Sequence, residues 1–107
     1  MKFISILKNN NRFLPVHPNI ISILGYSKLE GHGPCIVMEW MNTSLLTMLR
    51  DPTKPLKSVI HKLECCKQIA LGLAYLHQQN PVIIHRDLAA RNCLVCFYLV
   101  EIYECFV

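Results

Sequence analysis

His85-Arg86-Asp87-Leu88-Ala89-Ala90-Arg91-Asn92 gathers three charged side chains and an amide into eight residues of a chain in which only 17% of residues are charged. Val82-Ile83-Ile84 precedes it and the apolar residues 92–100 overlap its end, which predicts a polar loop between two short strands. Upstream, residues 56–77 carry Val59, Leu63, Cys66, Ala70 and Leu73 at spacings of three and four, with Ile60, Ile69 and Leu76 beside them. That period predicts one long helix burying this stripe. Asn80 before Pro81 closes it, because the residue before a proline is pushed out of the α region. A shorter helix begins at Ser44, whose hydroxyl can cap it, carries Leu45, Leu46, Met48 and Leu49, and stops at Asp51-Pro52. Residues 20–26 and 35–40 are β-prone runs, and the glycine-containing residues 28–34 between them predict an antiparallel hairpin. Strands followed by helices place the chain in the α+β class.

With 107 residues, 52% of them hydrophobic, the chain has room for one small core and no second domain. The net charge of +4 comes from scattered Lys and Arg, with no basic face to follow a phosphate backbone, so nucleic-acid binding is not expected. No apolar run reaches the roughly 18 residues of a membrane span, and residues 93–107 are interrupted by Glu101 and Glu104. The amino-terminal Met1-Lys2-Phe3-Ile4-Ser5-Ile6-Leu7 has too short an apolar run and no small-residue cleavage site, so an intracellular chain is expected, cytoplasmic or the cytoplasmic part of a receptor if a longer form exists. Six cysteines include the adjacent Cys65 and Cys66, and Cys93-Leu94-Val95-Cys96 has no second ligand pair at zinc-knuckle spacing. Buried reduced thiols are expected, with neither a metal nor a redox centre. The remaining histidines, His17, His32, His61 and His77, read as surface or capping residues, and Met38, Met41 and Met48 as packing residues.

The eight-residue loop resembles the catalytic loop of protein kinases, and its flanks agree: a long helix, a proline-broken turn and a short apolar strand lead into it. His17-Pro18-Asn19-Ile20-Ile21 resembles the approach to the fourth strand of a kinase small lobe. Ile36-Val37-Met38-Glu39-Trp40-Met41 resembles the fifth strand and hinge, and Asn42-Thr43-Ser44-Leu45 the start of the next helix, with Thr43 where the family has glycine. The resemblance covers residues 17–95. It implies a partial protein-kinase-like fold: a remnant of the small-lobe antiparallel sheet, the hinge, and the front half of the helical large lobe. Residues 1–16 are left unassigned, and residues 96–107 read as a non-homologous apolar tail.

The resemblance also implies roles. Asp87 would accept the proton of a substrate hydroxyl, Asn92 would hold a magnesium ion on the phosphates of ATP, and Arg91 would assist phosphoryl transfer. Met38 would stand as gatekeeper, the backbones of Glu39 and Met41 would meet the adenine edge, and Leu94 would lie under the ring. His85 and Ile23 would join an internal apolar stack, and Arg86 would pair with a phosphorylated activation segment. The implied substrate is a protein hydroxyl. Leu88-Ala89-Ala90-Arg91 is similar to tyrosine kinases, Ala89 taking the place of the lysine of serine/threonine kinases, whereas residues 78–84 are similar to the tyrosine-kinase-like group, which mostly modifies serine and threonine.

Several parts of the family pattern have no counterpart. Gly25, Gly31, Gly33 and Gly72 do not form a glycine-rich phosphate loop, Ser5-Ile6-Leu7-Lys8 only echoes the lysine-bearing third strand, and no aspartate follows Asp87 to supply a second magnesium ligand. Residues 96–107 are rich in β-formers and free of proline and glycine, an aggregation hazard if unpaired. Three alternatives follow: an enzyme in its own right, an inactive kinase-like binding or decoy segment, or a piece of an active kinase.

Overall fold

The computed structural model describes residues 16–53, 56, 58–99 and 102–106, with the backbone path alone given for 97–99 and 102–106. The lysine-bearing echo at Lys8 and the acidic Glu101 lie outside the described residues. Antiparallel strands and helices make the expected α+β arrangement. Two compact units divide the chain: Ser22–Glu39 belongs to one, and His17–Ile21 with Trp40–Val107 to the other.

The first unit is a hairpin of β1 (Ile23–Leu29) and β2 (Gly33–Met38). Leu29 pairs with Gly33, so the connection is the three residues Glu30, Gly31 and His32, tighter than the seven-residue turn expected from residues 28–34. His32 N–H donates to the Leu29 carbonyl at 3.1 Å, and Gly31 (φ 80°) and Gly33 (φ 76°) take the left-handed backbone that such a turn needs. β1 begins three residues later than the apolar run suggests. His17–Ile21 is withdrawn into a turn of the other unit, closed by Ile20 N–H to the His17 carbonyl at 3.1 Å, with Asn19 and Ile20 buried. Apolarity at Ile20 and Ile21 thus reports docking of a turn, and not a ladder.

In the second unit, β3 (Thr43–Ser44) runs directly into α1 (Leu45–Arg50). Ser44 caps α1 by accepting the Thr47 N–H at 3.2 Å, and Asp51 ends it, as expected. α2 spans Val59–His77 and starts where Ser58 accepts the His61 N–H at 3.2 Å, leaving Leu56 outside the helix. The expected buried stripe holds at Leu76 and in part at Ile69 and Leu73, and is corrected at its other positions. Val59 (70% exposed), Ile60 and Leu63 (62%) face outward, as do Cys66 and Ala70, while Cys65, Gly72 and Leu76 are buried and Ile69 is partly so. Two apolar stripes wind round α2, and the period alone does not choose between them. The choice comes from tertiary packing, since β5 (Ile102–Phe106) lies against this helix.

The strand expected at Val82-Ile83-Ile84 is also corrected. Its recorded backbone bond is Ile83 N–H to the Leu76 carbonyl at 3.1 Å, at the end of α2, and Val82 and Ile84 are 58% and 60% exposed. The segment is laid against a helix terminus without a ladder partner to make it a strand. β4 (Leu94–Leu99) then forms the middle of a sheet ordered β3-β4-β5, antiparallel throughout, with Val95 opposite both Thr43 and Cys105. Residues 102–106 of the apolar tail are therefore paired in backbone. Met48 of α1, Leu56, Cys65 of α2 and Val95 of β4 form the core, with Leu45 and Ile69 packed against them. Among the described residues, no helix is long and apolar enough to cross a membrane.

Candidate functional site

The loop expected to carry chemistry is suspended between the 82–85 segment and β4, and its far end is fastened to α1. Leu46 N–H donates to the Ala90 carbonyl at 3.0 Å and Leu45 N–H to the Cys93 carbonyl at 2.8 Å. The same backbone amides would otherwise be orphan donors in the first turn of α1, so one set of bonds completes the helix start and fixes the loop. Within the loop, Asn92 N–H and Cys93 N–H both donate to the Ala89 carbonyl, at 2.8 and 3.1 Å, making a tight turn. Asn42 N–H, donating to the Val95 carbonyl at 3.1 Å, extends the attachment one step beyond the β3 ladder.

Arg86 sits at φ 65°, a left-handed conformation that costs a non-glycine residue about 1–2 kcal/mol. Directly after it, Asp87 N–H donates to Nδ1 of His85 at 3.2 Å, which holds the reversal in place. The result is an Asp87 carboxylate turned back toward the residues that follow it. Arg91 Nη2 donates to Oδ1 at 2.8 Å, and Asn92 Nδ2 donates to Oδ2 at 3.0 Å and to the Asp87 main-chain carbonyl at 2.8 Å. Asp87, Arg91 and Asn92, singled out from the sequence, thus converge on one carboxylate. Arg91 and Asp87 are 60% and 65% exposed in their side chains, so this ion pair adds little stability and serves mainly to orient.

Because the amide nitrogen of Asn92 is committed to Asp87, its Oδ1 is the side-chain atom left to bind a hard cation. An oxygen-only donor set suits magnesium, which takes one or two protein oxygens and fills its octahedron with phosphate and water. Among the described residues no group of three His, Cys, Asp or Glu side chains could hold a metal by itself. The donor chemistry fits a cation brought in with phosphates.

The residues assigned to a nucleotide base divide between the two units. Met38, the last residue of β2, and Glu39 belong to Ser22–Glu39, and Met41 and the half-buried Leu94 to the second unit. Ile23 and His85 divide in the same way. Two contacts had no signal in the sequence. Glu39 accepts the Ser22 N–H through its side chain, at 2.7 Å. His17, expected as a surface or cap residue, accepts the Asn19 N–H at Nδ1 and stacks on Tyr75 of α2 with ring centroids 4.5 Å apart. The Glu39–Ser22 and His17–Tyr75 contacts join residues far apart in the chain, which a single sequence does not reveal.

Cys65 and Cys93 are buried, as expected, and Cys66 is exposed, contrary to its place on the expected buried stripe. Burial pushes the Cys93 thiol above its ordinary pKa, and the nearby Cys65 adds to the effect. A raised thiol pKa suits packing and not nucleophilic chemistry.

The family description "Protein tyrosine and serine/threonine kinase" matches residues 3–102. The chain is 42% identical over 82 residues to the dual specificity protein kinase splA of Dictyostelium discoideum, covering 74% of this chain and 3% of that protein. It is 41% identical over 81 residues to the discoidin domain-containing receptor tyrosine kinase B of Caenorhabditis elegans, covering 74% and 9%. It is 38% identical over 79 residues to the tyrosine-protein kinase Abl of Drosophila melanogaster, covering 74% and 5%. The matched segment is therefore less than a tenth of each of these relatives.

Proposed function

Because the chain belongs to the protein tyrosine and serine/threonine kinase family, we propose that residues 17–95 carry the catalytic loop and part of the nucleotide site for transfer of the ATP γ-phosphate to a protein hydroxyl. The observation that supports this best is the Asp87 carboxylate held by Arg91 and Asn92, one donor on each oxygen. A carboxylate has about four acceptor positions, so each oxygen keeps capacity to receive the proton of an incoming hydroxyl. Arg91 keeps that carboxylate aimed, and brings positive charge beside the transferred group. Asn92 offers Oδ1 to a magnesium ion that arrives with ATP, and the ion supplies neutralisation of phosphate charge. Met38, Glu39, Met41 and Leu94 are the residues assigned to the adenine. ATP chemistry and the buried thiols both agree with a cytoplasmic setting.

Tyrosine is the favoured acceptor, on the strength of Leu88-Ala89-Ala90-Arg91, in which no lysine stands two residues after Asp87. Serine or threonine is the alternative. A second reading, a kinase-like binding segment without turnover, is favoured by the lack of any aspartate in residues 88–107 to serve as a second magnesium ligand. The test is label transfer from γ-labelled magnesium ATP to two peptides identical except for tyrosine or serine. Labelled tyrosine peptide is the expected result. Serine labelling alone overturns the acceptor assignment, and ATP binding without label in either peptide selects the second reading.

A further inference from the structure

Ser22 and Glu39 stand opposite each other one step beyond the Ile23–Met38 pair, where the β1–β2 ladder ends. Two residues opposed at a hydrogen-bonded position of an antiparallel ladder exchange two bonds, each N–H to the other's carbonyl. One half of that exchange is present, because Glu39 N–H donates to the Ser22 carbonyl at 3.2 Å. The other half is made differently. Ser22 N–H donates at 2.7 Å to Oε1 of the Glu39 side chain. The carboxylate has taken the acceptor role that the carbonyl of its own residue would fill in a regular ladder. An ionised acceptor makes the shorter and stronger bond, which favours this exchange over closure by the neutral carbonyl.

We infer that the Glu39 carboxylate is a positioning residue for base recognition: by taking the Ser22 amide it spares the Glu39 backbone carbonyl from the ladder, so that this carbonyl can accept from the amino group of a 6-aminopurine. The inference rests on the proposed function, in which the Glu39 backbone meets adenine. A carbonyl only accepts. It therefore rewards a base edge that carries an amino group and meets a 6-oxopurine with acceptor against acceptor, a discrimination that hydrogen-bonding sites deliver strongly. Without the carboxylate the Ser22 amide turns to the residue-39 carbonyl, the ladder closes, and the base loses its acceptor. Glutamine keeps an acceptor oxygen at the same reach.

Two measurements on the full chain test this, using Glu39→Ala and Glu39→Gln. Scalar coupling across the hydrogen bond from the Ser22 amide nitrogen is expected to reach the Glu39 side-chain carboxyl carbon in the parent, and the residue-39 backbone carbonyl carbon in Glu39→Ala. Calorimetric binding of magnesium ATP and magnesium inosine triphosphate is expected to show a preference for ATP that falls about tenfold in Glu39→Ala and is restored in Glu39→Gln. A side chain that merely braces the hairpin lowers both affinities together and leaves their ratio alone. An unchanged ratio in Glu39→Ala overturns the inference while the adenine reading stands. Parent coupling from Ser22 to the Glu39 backbone carbonyl overturns the exchange itself. A parent that binds neither nucleotide overturns the adenine reading and this inference with it.

Discussion

Asp87 is held by two donors that differ in what they leave behind. Arg91 gives the carboxylate a charge partner, and Asn92 spends its nitrogen on Asp87 while its oxygen faces away from that bond. Since the Arg91–Asp87 pair is largely exposed, Arg91→Ala is expected to change unfolding free energy by less than about 0.5 kcal/mol while slowing phosphate transfer at least tenfold. Urea unfolding beside a transfer assay separates these two effects. The thiols divide just as plainly. An aromatic disulfide reagent should modify exposed Cys66 rapidly, and Cys65 and Cys93 only as the chain unfolds. Burial places the folded-state pKa of Cys93 above its ordinary value of 9.0, so the stability tied to this thiol is fully present below 9.0 and is lost as pH rises through the folded value. Alkaline urea titrations should show that loss in the parent and not in Cys93→Ala. Asp87, Arg91 and Asn92 were legible because their spacing is local and tied to a mechanism. The Glu39–Ser22 bond was not, because the partners are 17 residues apart and meet only in the folded hairpin.

Caps and faces govern the elements. Ser44 and Ser58 each satisfy an amide of a helix first turn; the start at Ser44 could be read from the sequence because capping is local chemistry, whereas the long helix was expected from Leu56 and begins only after Ser58. The buried face of α2 could be read only in part, at Leu76, Ile69 and Leu73, since apolar residues recur with helical spacing on two sides and packing selects the one through Cys65, Gly72 and Leu76. The consequence is measurable. Leu63→Gln, on the expected core stripe but 62% exposed, should cost less than about 0.5 kcal/mol, whereas Val95→Ala, at a fully buried site, should cost about 2 kcal/mol. Equal costs in urea unfolding would restore the expected stripe. β3 escaped notice because two residues carry no period, and Val82-Ile83-Ile84 suggested a strand because a short apolar run reads alike whether it joins a ladder or lies on a helix end.

For the chain as a whole, the core of Met48, Leu56, Cys65 and Val95 joins α1, α2 and β4, the elements from which the Asp87 loop is hung. The loop is fastened at Ala90 and Cys93 to the start of α1, so the position of Asp87 depends on the same packing that stabilises the unit. Family membership was legible in eight residues and their flanks, and the match over residues 3–102 agrees with it. The most direct test of the central claim, that the Asp87 carboxylate carries phosphoryl transfer, is single-turnover transfer from magnesium ATP to a tyrosine peptide by the parent and by Asp87→Asn, with matched unfolding curves. Asparagine keeps the shape and removes the base, and the account predicts a fall of about 100-fold or more with stability little changed. Equal transfer by two equally folded chains would contradict it.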